Sequence, residues 1–131
     1  MLGARTLQLL RSLEVWKRAC RLSVQMYALT TGCRDSGFRN QITRSALSIA
    51  SNIAEGYERD YVRERCQFLR VAKGSCAECW TQLLIGIEAA LVDRSQATPL
   101  LRELEEIGAM LGGLIKRFSD LKQVENAPPS T

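Results

Sequence analysis

The chain has 131 residues, 46% hydrophobic and 24% charged, with a formal net charge of +4 at pH 7. A chain of that size makes one domain that buries roughly two-thirds of its unfolded surface. Residues 1–131 are therefore read as a single domain with a core from about 6 to 122 and a mobile tail at 123–131. Histidine is absent, which excludes imidazole acid–base catalysis, serine or cysteine triads that use His, and imidazole metal ligands.

Leu, Ala, Glu, Gln and Arg outnumber β-branched residues, and two of the three prolines lie near the C-terminus (Pro128, Pro129). That composition favours helix and predicts an all-α fold. The five cysteines (Cys20, Cys33, Cys66, Cys76, Cys79) are odd in number and fall mostly within apolar helical patterns, without a secretory leader ahead of them. A reduced, cytoplasmic protein is expected. No apolar run approaches the ~20 residues of a membrane-spanning helix, so no membrane partner is expected.

The first periodic segment runs from about Thr6 to Thr31, where Leu9, Leu13, Trp16, Cys20, Val24 and Tyr27 recur at spacings of three and four. Gly32 is placed to end it, and Asp35 or Ser36 to cap the next helix. That second helix spans about Phe38 to Glu55, with one stripe of Ile42, Ala46, Ile49 and Ile53 and another of Leu47, Ala50 and Ala54. Two stripes predict burial on two sides. Gly56 is read as its left-handed stop.

A third helix is expected from about Tyr61 to Val92, with Asp60 as N-cap and a face of Val62, Cys66, Leu69, Cys76, Trp80, Leu83, Ile87 and Leu91. It would be roughly 45 Å long. Gly74 and Gly86 interrupt it at about 1 kcal/mol each relative to Ala, and Gly74 is read as the point of close backbone approach. Thr98 and Pro99 predict the start of a fourth helix, whose seam is Leu100, Leu104, Ile107, Leu111, Leu114, Phe118 and Leu121. Four helices joined by short turns predict an antiparallel up-and-down four-helix bundle.

Three groups of residues are candidates for chemistry. Cys76 and Cys79 form one CxxC inside a helix. A structural zinc site needs four ligands, and a redox pair needs an exposed helix N-terminus. Core packing is therefore favoured over redox or metal chemistry, and neither metal nor cofactor is expected. Ser48, Ser51, Asn52 and Glu55, with Ser75, Glu78 and Gln82, are read as a polar layer between two helices, either fixing their register or forming a site. Glu55 and Glu78 could act as an acid/base pair, although no nucleophile or phosphate loop accompanies them. Residues 1–44 hold eight Arg and Lys against two carboxylates, and Arg59, Arg63, Arg65, Arg70 and Lys73 form a second basic cluster. Such rows either bind phosphates or are a solvated face.

Leu13-Glu14-Val15-Trp16-Lys17, Gln41-Ile42-Thr43-Arg44-Ser45-Ala46, Ser51-Asn52-Ile53-Ala54-Glu55-Gly56, and Ala72-Lys73-Gly74-Ser75 with Glu78 occur together, in that order. Over about residues 12–121 the chain resembles the four-helix bundle family of bacterial large-subunit rRNA intervening-sequence proteins. It is also similar to the accessory variability determinant proteins of diversity-generating retroelements. The resemblance implies a homopentamer, and relatives that bind nucleic acid and a reverse transcriptase through a basic surface.

The resulting expectation is a non-enzymatic, homo-oligomeric scaffold that binds RNA or DNA without strong sequence specificity through Arg18, Arg21, Arg44, Arg63 and Arg70. The alternative is a module that docks a protein partner such as a reverse transcriptase, its charges serving solubility alone.

Overall fold

The protein is described by a computed structural model covering residues 3–125, with side chains through residue 121. Five helices follow in order: α1 (Ala4–Ser12), α2 (Glu14–Leu29), α3 (Ser36–Glu58), α4 (Val62–Glu88) and α5 (Arg94–Glu125). Helices α2 to α5 form an antiparallel four-helix bundle in which α2 packs on α3, α3 on α4, α4 on α5, and α5 back on α2. Helix α1 is appended to α2 and α3. Within the tail expected to be mobile, residues 123–125 continue α5, and residues 126–131 lie outside the described residues.

The core is built from one stripe per helix: Val15, Ala19, Leu22 and Met26 on α2, Ile42, Ala46, Ile49 and Ile53 on α3, Leu69, Cys76, Cys79 and Leu83 on α4, and Leu104, Ile107 and Leu111 on α5. Each large apolar side chain so buried contributes about 1.5–3 kcal/mol. The Ile42–Ile53 stripe of α3 and the α5 seam through Leu111 are those that the spacing predicts, whereas Leu121 at the end of that seam and Leu47 of the second α3 stripe are each 47% exposed, because no neighbouring helix covers them.

The first helix departs from expectation in two ways. Leu13 is extended (φ −92°, ψ 107°) and divides the expected helix into α1 and α2. The buried face of α2 is also rotated from the predicted stripe, leaving Val24 70% and Tyr27 42% exposed. Leu9, Leu13, Trp16, Cys20, Val24 and Tyr27 flank the core because a second apolar stripe runs beside Val15, Ala19, Leu22 and Met26, and periodicity alone does not rank them.

Helix ends depend on local hydrogen bonds. Gly32, at φ +77°, follows α2, and the Asp35 carboxylate accepts the Phe38 amide at 2.9 Å to cap α3, both as expected. Gly56 does not stop α3. It is helical and buried, and a Cβ there would lie 3.1 Å from Phe68 Cβ and 3.2 Å from the Arg65 carbonyl oxygen, so its role is close approach to α4. Asp60 does not cap α4, whose N-cap position is Tyr61. Helix α5 begins at Arg94, five residues before the predicted first helical residue Pro99, since Asp93 accepts the Gln96 amide at 3.0 Å and leaves Pro99 within the second turn. Helix α4 ends short of Val92 because Ala90 takes a left-handed conformation (φ 58°) and the Leu91 amide returns to the Gly86 carbonyl at 2.8 Å. That is a Schellman closure with alanine where glycine is usual.

The two glycines inside α4 exchange their expected roles. A Cβ at Gly74 would meet open space, whereas one at Gly86 would run into the Phe38 ring. Gly74→Ala and Ala90→Gly are each expected to raise the free energy of unfolding in urea by about 0.5–1 kcal/mol. Gly86→Ala is expected to lower it by about 1 kcal/mol or more, because the clash outweighs the gain in helix propensity.

Candidate nucleic-acid interface

The basic residues divide by whether another side chain already engages them. Arg18, half-buried on α2, donates from Nε to Glu103 Oε2 at 2.9 Å and places Nη2 against Glu103 Oε1 and, at 3.3 Å, Glu106 Oε1. This bidentate pair joins α2 to α5. Its hydrogen bonds hold the Glu103 carboxyl below the ordinary range and raise the Arg18 guanidinium. Lys17 pairs with Glu14 at 3.2 Å, and Arg21 approaches the same carboxylate at 3.9 Å. Arg34 donates to the carbonyls of Ala89 and Ala90 at the end of α4, and Arg39 lies over the Tyr27 ring. Five of the eight cations of residues 1–44 thus have a partner within the chain, whereas Arg5 and Arg11 on α1 and Arg44 on α3 form no salt bridge among the described residues.

Helix α4 differs. Arg63 and Arg70 are seven residues apart and share one edge, with Lys73 three residues further on. Arg70 Nη2 lies 3.5 Å from Ser119 Oγ of α5, and the Lys73 ammonium sits over Gly112, so the edge faces the α4/α5 seam. Lys116, four residues beyond Gly112, adds a cation from α5. These four side chains are exposed, and none forms a salt bridge among the described residues. Glu64 and Asp120 flank the row without pairing to it.

At the end of the bundle beside this row, Arg65 stacks over Tyr57 at 4.6 Å and over Phe118 at 5.2 Å, while its Nε donates to the Gly56 carbonyl. Arg59 covers Phe68 at 4.8 Å and pairs with Glu55 at 3.0 Å. Here α3, α4 and α5 are clamped by cation–π contacts, each of order 0.5–2 kcal/mol. No short motif announces this cluster, since its members come from three helices.

The polar layer exists with altered membership. Ser48 Oγ meets Ser75 Oγ at 2.9 Å, Asn52 Nδ2 donates to Ser48 Oγ at 2.9 Å, and Ser45 Oγ donates to Gln82 Oε1 at 2.7 Å. Ser48, Asn52, Ser75 and Gln82 thus belong to it as expected, and Ser45 joins them. Ser51 and Glu55 are exposed, and Glu78 is exposed at the edge of a groove of about 520 Å³ lined also by Gln41, Arg44, Ser45, Ser48, Ser75 and Gln82. With Ser48 and Ser75 level, the helical rise separates Glu55 from Glu78 by roughly 15 Å along the bundle. The two carboxylates cannot share one proton-transfer site.

Burial pushes the Cys76 thiol up to about 12 and the Cys79 thiol up to about 11. These two sulfurs are packing atoms held as neutral thiols. Among the described residues no group of three His, Cys, Asp or Glu could hold a metal ion, and no helix is long and apolar enough to cross a membrane.

A profile of the 23S rRNA-intervening sequence protein family matches residues 11–113. The chain belongs to that family. Its fold is similar to a crystal structure of a protein of unknown function from the S23 ribosomal protein family of Bacteroides thetaiotaomicron, with a TM-score of 0.73 and 24% identity over 78% of this chain and 98% of that one. No curated protein matches. The family match stops short of most of α1 and of the end of α5, so Phe118 and its contacts with Tyr57 and Arg65 lie beyond it.

Two measurements check this assignment of roles. Glu103→Gln is expected to cost about 1–2 kcal/mol at pH 7. Because the folded-state Glu103 carboxyl is lowered, that stabilisation is full above its ordinary value of 4.5 and is lost as pH falls below it. The difference between wild type and variant in urea unfolding should therefore shrink toward pH 3. In the native protein at pH 8, Cys76 and Cys79 should resist a thiol reagent that labels them at once in denaturant.

Proposed function

We propose that the protein is a non-enzymatic, homo-oligomeric scaffold, with a pentamer the preferred assembly, whose basic surface binds RNA or DNA without strong sequence specificity. The observation that carries this reading is the row of exposed cations Arg63, Arg70, Lys73 and Lys116 along the α4/α5 seam. Binding through such a row is electrostatic and accompanied by counterion release, so it tolerates any sequence and weakens steeply with salt. Arg63 and Arg70 remain the contacts of choice, and Arg21 and Arg44 are secondary positions on other faces. Arg18 has its donors engaged by Glu103 and Glu106.

Self-association is supported by apolar side chains that the bundle leaves uncovered on α2 and α3, including Val24, Tyr27 and Leu47, the last 47% exposed. The same surface favours the second reading, a module that docks a protein partner such as a reverse transcriptase, with the charges serving solubility. The first reading has a family context in the 23S rRNA-intervening sequence name.

Fluorescence anisotropy with labelled oligonucleotides across a salt series tests the proposal. Affinity should fall by orders of magnitude between about 50 and 200 mM salt. Arg63→Gln/Arg70→Gln should weaken binding across all sequences and flatten the salt slope by about two. Absence of binding at low salt would reject the nucleic-acid reading. Light scattering after size exclusion tests assembly, which a 14.7 kDa particle would contradict.

A further inference from the structure

The turn between α3 and α4 carries an aromatic side chain that the fold does not use. Tyr61 is the most exposed large apolar side chain among the described residues, at 71%. It occupies the N-cap position of α4 with extended backbone (φ −109°, ψ 137°) and makes no side-chain cap hydrogen bond. Ser, Thr, Asp or Asn at such a position stabilises a helix by about 1 kcal/mol. Tyrosine forgoes that contribution, and its ring gains little by burial. The neighbouring rings behave otherwise, since Tyr57, Phe68 and Phe118 are covered by Arg65 and Arg59 and bind the three helices together.

The position of Tyr61 gives the exposed ring a use. Two residues further on, Arg63 begins the row that continues through Arg70 to Lys73, about 15 Å along the α4 axis, the length of a few nucleotides. The acidic groups of the turn, Glu58 and Asp60, together with Glu64, repel phosphate and leave the uncharged ring as the attractive element beside them. A strand with its backbone on the Arg63 side can lay a base across that ring. Every base has a π-face, so the contact requires no particular sequence. It does require an unpaired base, because duplex bases are stacked and closed to a side chain on a turn.

We infer that Tyr61 is a base-stacking residue, and that the nucleic acid held along the Arg63–Arg70–Lys73 row is single-stranded, or unpaired where it crosses the α3–α4 turn. This rests on the nucleic-acid reading above and narrows its ligand class.

The test uses the full chain, a labelled single-stranded oligonucleotide of about 12 nucleotides, and the matched duplex, at low salt. The wild type should prefer the single strand. Tyr61→Ala should weaken single-strand binding by about 5- to 150-fold, the range for one base–aromatic stack. Duplex affinity and the salt slope should stay unchanged, because no phosphate contact is lost. Tyr61→Phe should keep single-strand affinity. Unchanged single-strand affinity in Tyr61→Ala, equal losses for both ligands, or a fall in molar mass by light scattering would overturn the inference, the last by making Tyr61 a subunit contact. Failure of the wild type to bind either ligand would reject the underlying reading instead.

Discussion

The seam between α3 and α4 sets the geometry on which the remaining features depend. Three kinds of small-residue contact hold it. Gly56 admits the Phe68 side chain and the Arg65 carbonyl at one end, Ser48 and Ser75 meet at 2.9 Å in the middle, and Gly86 receives the Phe38 ring at the other. Each contact fixes the same axial register. A slip of one residue would bring Cβ atoms into the places of glycines and separate the hydroxyls, with buried polar atoms left unsatisfied at about 1–3 kcal/mol each. No buried side-chain polar atom lacks a partner among the described residues, so the layer specifies the packing without burdening it. The seam in turn aims the outer edge of α4, and with it Arg63, Arg70 and Lys73, at α5.

Much of this was legible in the sequence. The all-α fold, the core stripes of α3 and α5, the Asp35 cap and the Gly32 stop followed from spacing and from residue chemistry at helix ends. What was not legible depends on distant partners. Leu13 breaks a helix without glycine or proline, and the gain lies in bringing Leu10 and Val15 both into the core, which periodicity cannot show. Gly56 and Gly74 look alike along the chain, yet one lies against a neighbouring backbone and the other faces solvent. Thr98–Pro99 is a good start signal, but Asp93 is an equally good one five residues earlier, and the chain uses the earlier.

The candidate site shows the same division. Summed along the chain, the positive charge concentrates in residues 1–44, and that sum points to α2. In three dimensions Glu103 and Glu106, some 85 residues away in sequence, take up Arg18, while carbonyls at the end of α4 take up Arg34. Charge that already has a partner contributes little to an external field. The unpaired row on α4 was partly visible, because Arg63 and Arg70 lie two turns apart. Its continuation onto Lys116 was not, since the link passes through Gly112 of another helix. Likewise the polar stripe was read correctly at Ser48, Asn52, Ser75 and Gln82, but it also took in the exposed Ser51, Glu55 and Glu78 and omitted Ser45, because only the direction of α4 decides which polar edge of α3 turns inward.

These arrangements bear on what the protein can do. Its buried side-chain polar atoms have hydrogen-bond partners among the described residues, the Cys76 and Cys79 thiols are held neutral by burial, and its two candidate carboxylates are too far apart to act together. Among the exposed groups that form no salt bridge among the described residues, four cations stand in a row on α4 and α5, and an exposed aromatic ring lies at the turn where that row begins. Each cation alone binds a phosphate weakly in water, but in the assembly proposed above a row repeated in every subunit would act on one polymer at once. Effective concentration then raises affinity without any new contact. A rigid bundle suits that purpose, because spacing between successive cations is preserved only if the helices carrying them do not shift, and the Gly56, Ser48–Ser75 and Gly86 contacts supply that constraint.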